Sequence, residues 1–131
     1  MNVSASVVSK YHVLENKVQT NDYEKEIKID PKSSGFGSSI NGAELLMLAL
    51  ATCFCNDIYR EAGKRNMKVS AVKVTVQGEF GADGEPGTNF QYQAQVSSDA
   101  SPSEIEELIR HTDKVAEIQN TLRKGLKIEL S

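Results

Sequence analysis

The sequence has no surplus of positive charge: fifteen Lys and Arg against eighteen Asp and Glu leave a formal net charge of −3. A nucleic-acid backbone or an anionic membrane surface calls for a basic excess, so no nucleic acid and no membrane is expected as partner. A long hydrophobic run is also missing. The longest stretch, Leu45 to Cys55, has Thr52 as its only polar side chain and falls well short of the about 20 residues that cross a bilayer. The opening MNVSASVVSKYHVLE lacks the basic start and apolar core of a secretory signal, and a cytoplasmic location is expected. Proline is scarce, three against nine glycines, and with 39% hydrophobic and 25% charged residues wholesale disorder is excluded. Cysteine and histidine number two each. That is too few for a disulfide framework and consistent with a reducing compartment. His12 and His111 stand alone in sequence, so spacing assembles neither a Ser-His-Asp set nor a metal site, and no metal or cofactor is expected.

What is present suits one domain over residues 1–131, long enough to bury roughly two thirds of its unfolded surface. Three strand-like segments come first: Val8 to Leu14, a short Lys17 to Thr20, and Tyr23 to Asp30. In the last, Tyr23, Ile27 and Ile29 alternate with Glu24, Glu26, Lys28 and Asp30, and Lys25 breaks the apolar face. Asn21-Asp22 is the turn between the second and third. Pro31 to Asn41 has no periodicity; its Gly35-Phe36-Gly37 lacks both the Walker spacing and GxGxxG and reads as a flexible loop.

A long helix is expected over Gly42 to Asn66, with Asn41 and Glu44 in a capping-box pattern. Its first half is apolar nearly all round, which predicts burial on every side, and its second half, NDIYREAGKRN, is polar and predicts a wet end. Two alternating strands follow, around Val72–Val76 and Phe90–Val96, joined by GADGEPGT. Ser101-Pro102-Ser103-Glu104 is a helix start with Ser at the N-cap, Pro at N1 and Glu at N3, and the acids Glu104, Glu106 and Glu107 suit a solvated first turn. Ile105, Leu108, Ile109, Val115, Ile118 and Leu122 carry helical spacing with a break expected near Thr112-Asp113. Gly125 ends the helix, and LKIEL is expected as a last strand. The order is therefore βββ-α-ββ-αα-β, an α+β class. A lone long helix between two small sheets buries poorly in a monomer, so a dimer is expected.

Cys53 and Cys55 lie on that long helix, two residues and about 200° apart, facing away from each other. They cannot close a disulfide while the helix stands, and they diverge too far for a metal pair. Cys53 shares a face with Asn56, Asp57 and Arg60. Arg60 would favour its thiolate, whereas Asp57 and an apolar setting would oppose it. Two readings stay open: a reactive thiol, or a small hydrophobe packed in the core. Glu44, nine residues before Cys53, is either a carboxylate partner to the thiol or simply the capping-box acid.

The stretch NGAELLMLALATCFCND resembles the core helix of the OsmC/Ohr family, with its N-P-E-[EQ]-L-L…A-x-C-F pattern. The tail QNTLRKGLKI is similar to the family's S-N-A-L-R-G-x-V-x-V, and the order of elements matches over nearly the whole chain. The resemblance implies an intertwined homodimer whose long central helices are wrapped by antiparallel sheets of both chains. It also implies a thiol-dependent peroxidase that reduces organic hydroperoxides, or hydrogen peroxide, in an oxidative or osmotic stress response. In that family one helix cysteine attacks the peroxide, a second resolves the sulfenic acid, and an Arg–Glu pair poises the site. Cys53 matches the attacking cysteine, the nucleophile. Ala116 stands where the resolving cysteine would be, Ala43 where the catalytic Glu would be, and no arginine precedes Arg60. The resemblance is thus to a one-cysteine branch, in which an external thiol reductant rescues Cys53, Arg60 or Glu44 assists, and Cys55 is a secondary thiol. Attack needs thiolate, so a Cys53 pKa below the free value of about 8.5 is expected. The alternative is a non-catalytic homodimer that binds an apolar small molecule at its interface.

Overall fold

The computed structural model describes all 131 residues. Its elements are β1 (Val3–Lys10), β2 (Val13–Thr20), β3 (Tyr23–Glu26), α1 (Gly42–Lys64), β4 (Val69–Glu79), β5 (Thr88–Ser98), α2 (Pro102–Val115) and α3 (Glu117–Lys124). The class is α+β as expected, with two antiparallel sheets, β1-β2-β3 and β4-β5. The chain divides into two compact units, Met1–Leu45 and Leu46–Ser131.

In the first unit β1 and β2 pair from Val3↔Thr20 to Lys10↔Val13, so Tyr11-His12 is the turn between them. The single strand expected over Val8 to Leu14 therefore straddles a hairpin. His12 takes the left-handed conformation, φ 54°, and a Tyr-His turn carries none of the Gly, Pro or Asn punctuation that marks most turns. Asn21-Asp22 is the second turn, as read, with Thr20 opposite Tyr23 and Asn21 at φ 51°. Pairing of β3 ends at Glu26 rather than Asp30.

The following loop is pinned rather than flexible. Gly35 O accepts from His12 N at 2.6 Å, Gly37 N donates to Ser9 Oγ at 3.0 Å, and Phe36 packs on Tyr11 with ring centroids 5.2 Å apart. Gly35 is required there: its φ is +96°, and a Cβ would stand 2.6 Å from the Tyr11 ring. The capping box at the start of α1 forms as expected. Asn41 Oδ1 accepts from Glu44 N at 2.8 Å and Glu44 Oε1 from Asn41 N at 3.0 Å.

In the second unit the burial of α1 departs from the expectation. Leu48 in the apolar first half is 59% exposed although Leu50 and Phe54 are buried, and Ile58 and Ala62 in the polar second half join Phe54, Leu108 and Ala116 in the core. The reason is what each half meets. The second half lies against Val69, Val72, Val74, Tyr92, Ala94 and Val96 of the β4-β5 hairpin and Ile109 of α2, and Phe54 stacks edge-on to Tyr92 with centroids 4.8 Å apart. Full burial of Phe54 alone contributes about 2–3 kcal/mol. Measured along its whole length rather than as its uninterrupted apolar run, α1 is long and apolar enough to cross a membrane by length and composition. Its buried half nevertheless carries Asp57 and Glu61 in ion pairs.

The cap of α2 follows the sequence reading: Ser101 and Glu104 form a capping box, with Pro102 at the first helical position. The break after α2 falls at Ala116 (ψ 109°) and not at Thr112-Asp113. Thr112 remains helical because its Oγ1 bonds back to Leu108 O at 2.7 Å. Gly125, φ 78°, ends α3 as expected. The last strand does not form: residues 126–131 have no regular structure, and Leu126, Ile128 and Leu130 are exposed. A strand exists only by pairing with an edge, and no edge within the chain receives it.

Candidate thiol site

Cys53 stands half-buried in the middle of α1, a free thiol, as is Cys55. Because α1 is regular here, the residue one turn on lies directly beneath it, and Cys53 Sγ donates to Asp57 Oδ2 at 3.4 Å. Asp57 is buried, 5% exposed. Its other oxygen, Oδ1, is 3.0 Å from Arg60 Nη1. The same nitrogen reaches Glu117 Oε1 at 2.9 Å, Arg60 Nε bonds Glu61 Oε2 at 2.8 Å, and Nη2 donates to Val115 O at 3.5 Å. One guanidinium thus ties α1 to the α2–α3 junction and holds three carboxylates, the bidentate work for which its planar fork is suited.

The junction itself contributes to the thiol. Ala116 is both the end of α2 and the N-cap of α3, and as alanine it makes no side-chain cap. An N-cap oxygen would ordinarily take the amide of the second or third helical residue. Here the backbone N–H of Ile118, the second residue of α3, acts on Cys53 instead and lowers its pKa. It does not win. Burial, the hydrogen bond and negative charge of Asp57, and the charge of Glu117 together push the Cys53 thiol above its ordinary value. The expectation of a depressed Cys53 pKa is thereby overturned, because the sulfur is half-buried and two carboxylates face it while the one cation, Arg60, faces the carboxylates. Asp57 is also pushed up, by burial first, with Cys53 and Arg60 pulling the other way. Glu117 is held down, by its own backbone N–H first and then by Arg60.

The sulfur and the carboxylate oxygens of Asp57 and Glu117 lie within 4.8 Å of one another. Arg60 already places positive charge on both carboxylates. Next to this group, Glu61 pairs with Arg60, with Lys64 at 3.0 Å and with His111 Nε2 at 3.0 Å, and these hydrogen bonds, that of Arg60 first, lower its pKa to about 2.

Among the residues singled out from sequence, Cys53, Asp57 and Arg60 come together. Glu44 lies in the capping box at the start of α1, its carboxylate on the Asn41 amide. Cys55 faces away from Asp57, two residues from Cys53 on the same helix. Ala116, at the resolving position, is fully buried in the core. Sequence reasoning missed Glu117 and the Ile118 amide, which are more than sixty positions from Cys53 and arrive only through the bend at Ala116. The tail motif around Asn120 and Leu122 was the one signal that this segment belonged near the helix cysteine.

A family described as OsmC-like protein matches residues 35–131 of the chain. No curated protein matches it by sequence. Among solved structures, an OsmC like protein from Mycoplasma pneumoniae has a TM-score of 0.62 at 20% identity, over 93% of this chain and 86% of that one. An organic hydroperoxide resistance protein from Elizabethkingia anophelis has a TM-score of 0.63 at 17% identity, over 94% of this chain and 89% of that one. An OsmC-like protein of unknown function from Vibrio cholerae has a TM-score of 0.59 at 14% identity, over 92% of each. At these identities the likeness establishes the fold.

Proposed function

The chain belongs to the OsmC-like protein family, and from that premise we propose that it is a thiol-dependent reductase of organic hydroperoxides, or of hydrogen peroxide, with Cys53 as the attacking thiol. The observation that carries this reading is the placement of Cys53. Its sulfur alone, of the two in the chain, sits among Asp57, Arg60, Glu117 and the open amide end of α3. A cysteine serving only as a small hydrophobe has no need of three charged neighbours. Burial first, and then Asp57, push the Cys53 thiol above its ordinary value and favour its protonated form, so on this reading the proton is taken away as attack occurs. Names of the fold neighbours, hydroperoxide resistance proteins among them, agree with this substrate class.

With Ala116 at the resolving position and Cys55 on the other side of the helix, the sulfenic acid on Cys53 is reduced by an external thiol reductant. The working unit is a single OsmC-like domain over residues 1–131 acting as a cytoplasmic homodimer. The apolar first half of α1 and the unpaired 126–131 segment support that assembly. Each needs a cover that the chain itself does not provide. The test is hydroperoxide consumption with a dithiol reductant for wild type, Cys53→Ser and Cys55→Ser. Turnover lost only with Cys53 supports the reading; a folded protein with no turnover removes it.

The raised pKa favours a second reading, a non-catalytic homodimer that binds an apolar small molecule between its subunits. In that case Cys53→Ser leaves ligand affinity unchanged and wild type leaves hydroperoxide untouched.

A further inference from the structure

We propose that Asp57 is the proton carrier of the reaction, taking the Cys53 thiol proton and delivering it to the leaving oxygen of the hydroperoxide, while Arg60 and Glu117 are positioning residues. The inference rests on the reading of Cys53 as the attacking thiol. It names a residue pair that sits within one helix of this chain and does not use the Arg–Glu pair expected from the family resemblance.

Three features of the geometry lead to it. Asp57 Oδ2 is the acceptor of the Cys53 thiol, at 3.4 Å, and an i,i+4 relation on a regular helix fixes the two side chains without help from any mobile segment. Asp57 Oδ1 is occupied by Arg60 at 3.0 Å, so one oxygen is anchored and the other left to the sulfur. Arg60 in turn has its nitrogens on Asp57, Glu61, Glu117 and Val115 O. Four of its five N–H donors are engaged within the protein, three of them on carboxylates, which makes it a brace for Asp57 first of all.

The charges around Asp57 agree with this role. On α1 it meets Cys53 and Arg60, with Glu61 and Lys64 beyond; on α3 it meets Glu117; His111 of α2 reaches Glu61 and not the thiol. No histidine is available as base. Burial makes the Asp57 carboxylate a stronger base than an exposed one. When the proton crosses, the carboxylate that repelled negative charge on sulfur becomes neutral, and the Ile118 amide supports the thiolate that results.

The step balances as follows. Asp57 accepts the Sγ proton; the sulfur lone pair attacks the terminal hydroperoxide oxygen; the S–O bond forms as the O–O bond breaks. The departing alkoxide takes the proton from Asp57 and leaves as alcohol, or as water from hydrogen peroxide. The hydroperoxide's own proton remains on the new sulfenic acid. Sulfur loses two electrons, the peroxide gains them, and Asp57 ends as carboxylate.

An alkylating agent separates this role from a merely electrostatic one, because iodide leaves iodoacetamide without a proton whereas an alkoxide needs one. Single-turnover loss of the Cys53 thiol is measured with tert-butyl hydroperoxide and, separately, with iodoacetamide, for wild type, Asp57→Asn and Asp57→Glu, with Cys53→Ser as blank. The expected result is a peroxide rate down by about 100-fold in Asp57→Asn, an alkylation rate unchanged or raised, and peroxide reactivity partly restored by Asp57→Glu. Peroxide and alkylation rates that move together in Asp57→Asn, in either direction, overturn the proposal and leave the peroxidase reading standing. Wild type that alkylates at Cys53 but ignores hydroperoxide overturns both. Should Asp57→Asn fail to fold, the wild-type pH profiles decide. Alkylation that climbs with pH while the peroxide rate rises and then falls supports a shared, returned proton; superimposable profiles overturn it.

Discussion

Cys53 and Asp57 are coupled across one helical turn, sulfur to carboxylate oxygen at 3.4 Å, and burial together with this coupling raises the pKa of the thiol rather than lowering it. Arg60 completes the arrangement from the next turn, yet it addresses the carboxylates and not the sulfur. On the proposed reading the thiol proton passes between sulfur and carboxylate, and reactivity depends on how that carboxylate is held.

Removing Arg60 releases the brace. Arg60→Ala leaves Asp57 buried without its cation, while Glu61 keeps Lys64. A fully buried pair broken in this way costs about 3–5 kcal/mol, and because Arg60 is itself 38% exposed a loss of about 2 kcal/mol is expected. With Asp57 and Glu117 no longer compensated, the Cys53 pKa rises further. Urea unfolding checks the first outcome. Iodoacetamide kinetics against pH check the second, as a shift of the alkylation midpoint to higher pH. Arg60→Lys restores the charge without the fork and falls between the two.

Glu61 gives the protein an acid-labile contact. Its folded pKa of about 2 lies below the ordinary glutamate value of 4.5 because Arg60, Lys64 and His111 surround it. The depressed carboxylate contributes stability above the unfolded pKa, and that contribution is lost as pH falls from about 4.5 through 2. The melting temperature of wild type is expected to drop across that window. Glu61→Gln is expected to melt lower at pH 7 and to show a flatter acid limb.

Tyr92 works in the opposite sense. Its hydroxyl donates to Asp113, which Arg123 also holds at 2.5 Å, so β5, α2 and α3 meet at one polar contact. Burial, and next Asp113, push the phenol above its ordinary range. A raised folded pKa stabilises fully below the unfolded value near 10 and loses that contribution as pH rises through the folded pKa. Tyr92→Phe should cost about 1–2 kcal/mol and weaken the alkaline destabilisation, both measured by thermal melts between pH 7 and 11.

The helix caps, the Gly125 stop and the β4-β5 hairpin were legible in the sequence because they depend on neighbouring residues. The Asn41–Glu44 and Ser101–Glu104 boxes and the Gly125 stop all form as read. The Cys53–Asp57–Arg60 face was legible for the same reason, being a matter of helical spacing. Glu117 was not, since only the extended backbone of Ala116 turns α3 toward α1. The first hairpin was misread because Tyr11-His12 forces His12 into a left-handed conformation without the usual turn residues. Burial along α1 was misread because hydrophobicity states which side chains need cover, not which find it within one chain.

Leu45 and Leu48 on the first half of α1 are 39% and 59% exposed, and Ile128 and Leu130 in the unpaired tail are 89% exposed and fully exposed. Large apolar side chains left in water at this density mark a surface made to be covered. Equilibrium sedimentation should give twice the 14.4 kDa chain mass for wild type. Leu48→Glu should shift it toward monomer, since a charge would then face an apolar partner surface, and Lys10→Glu, on an exposed polar position of β1, should have little effect. A wild type that sediments as a stable 14.4 kDa species would remove the dimer, and with it the reading of a ligand site between subunits.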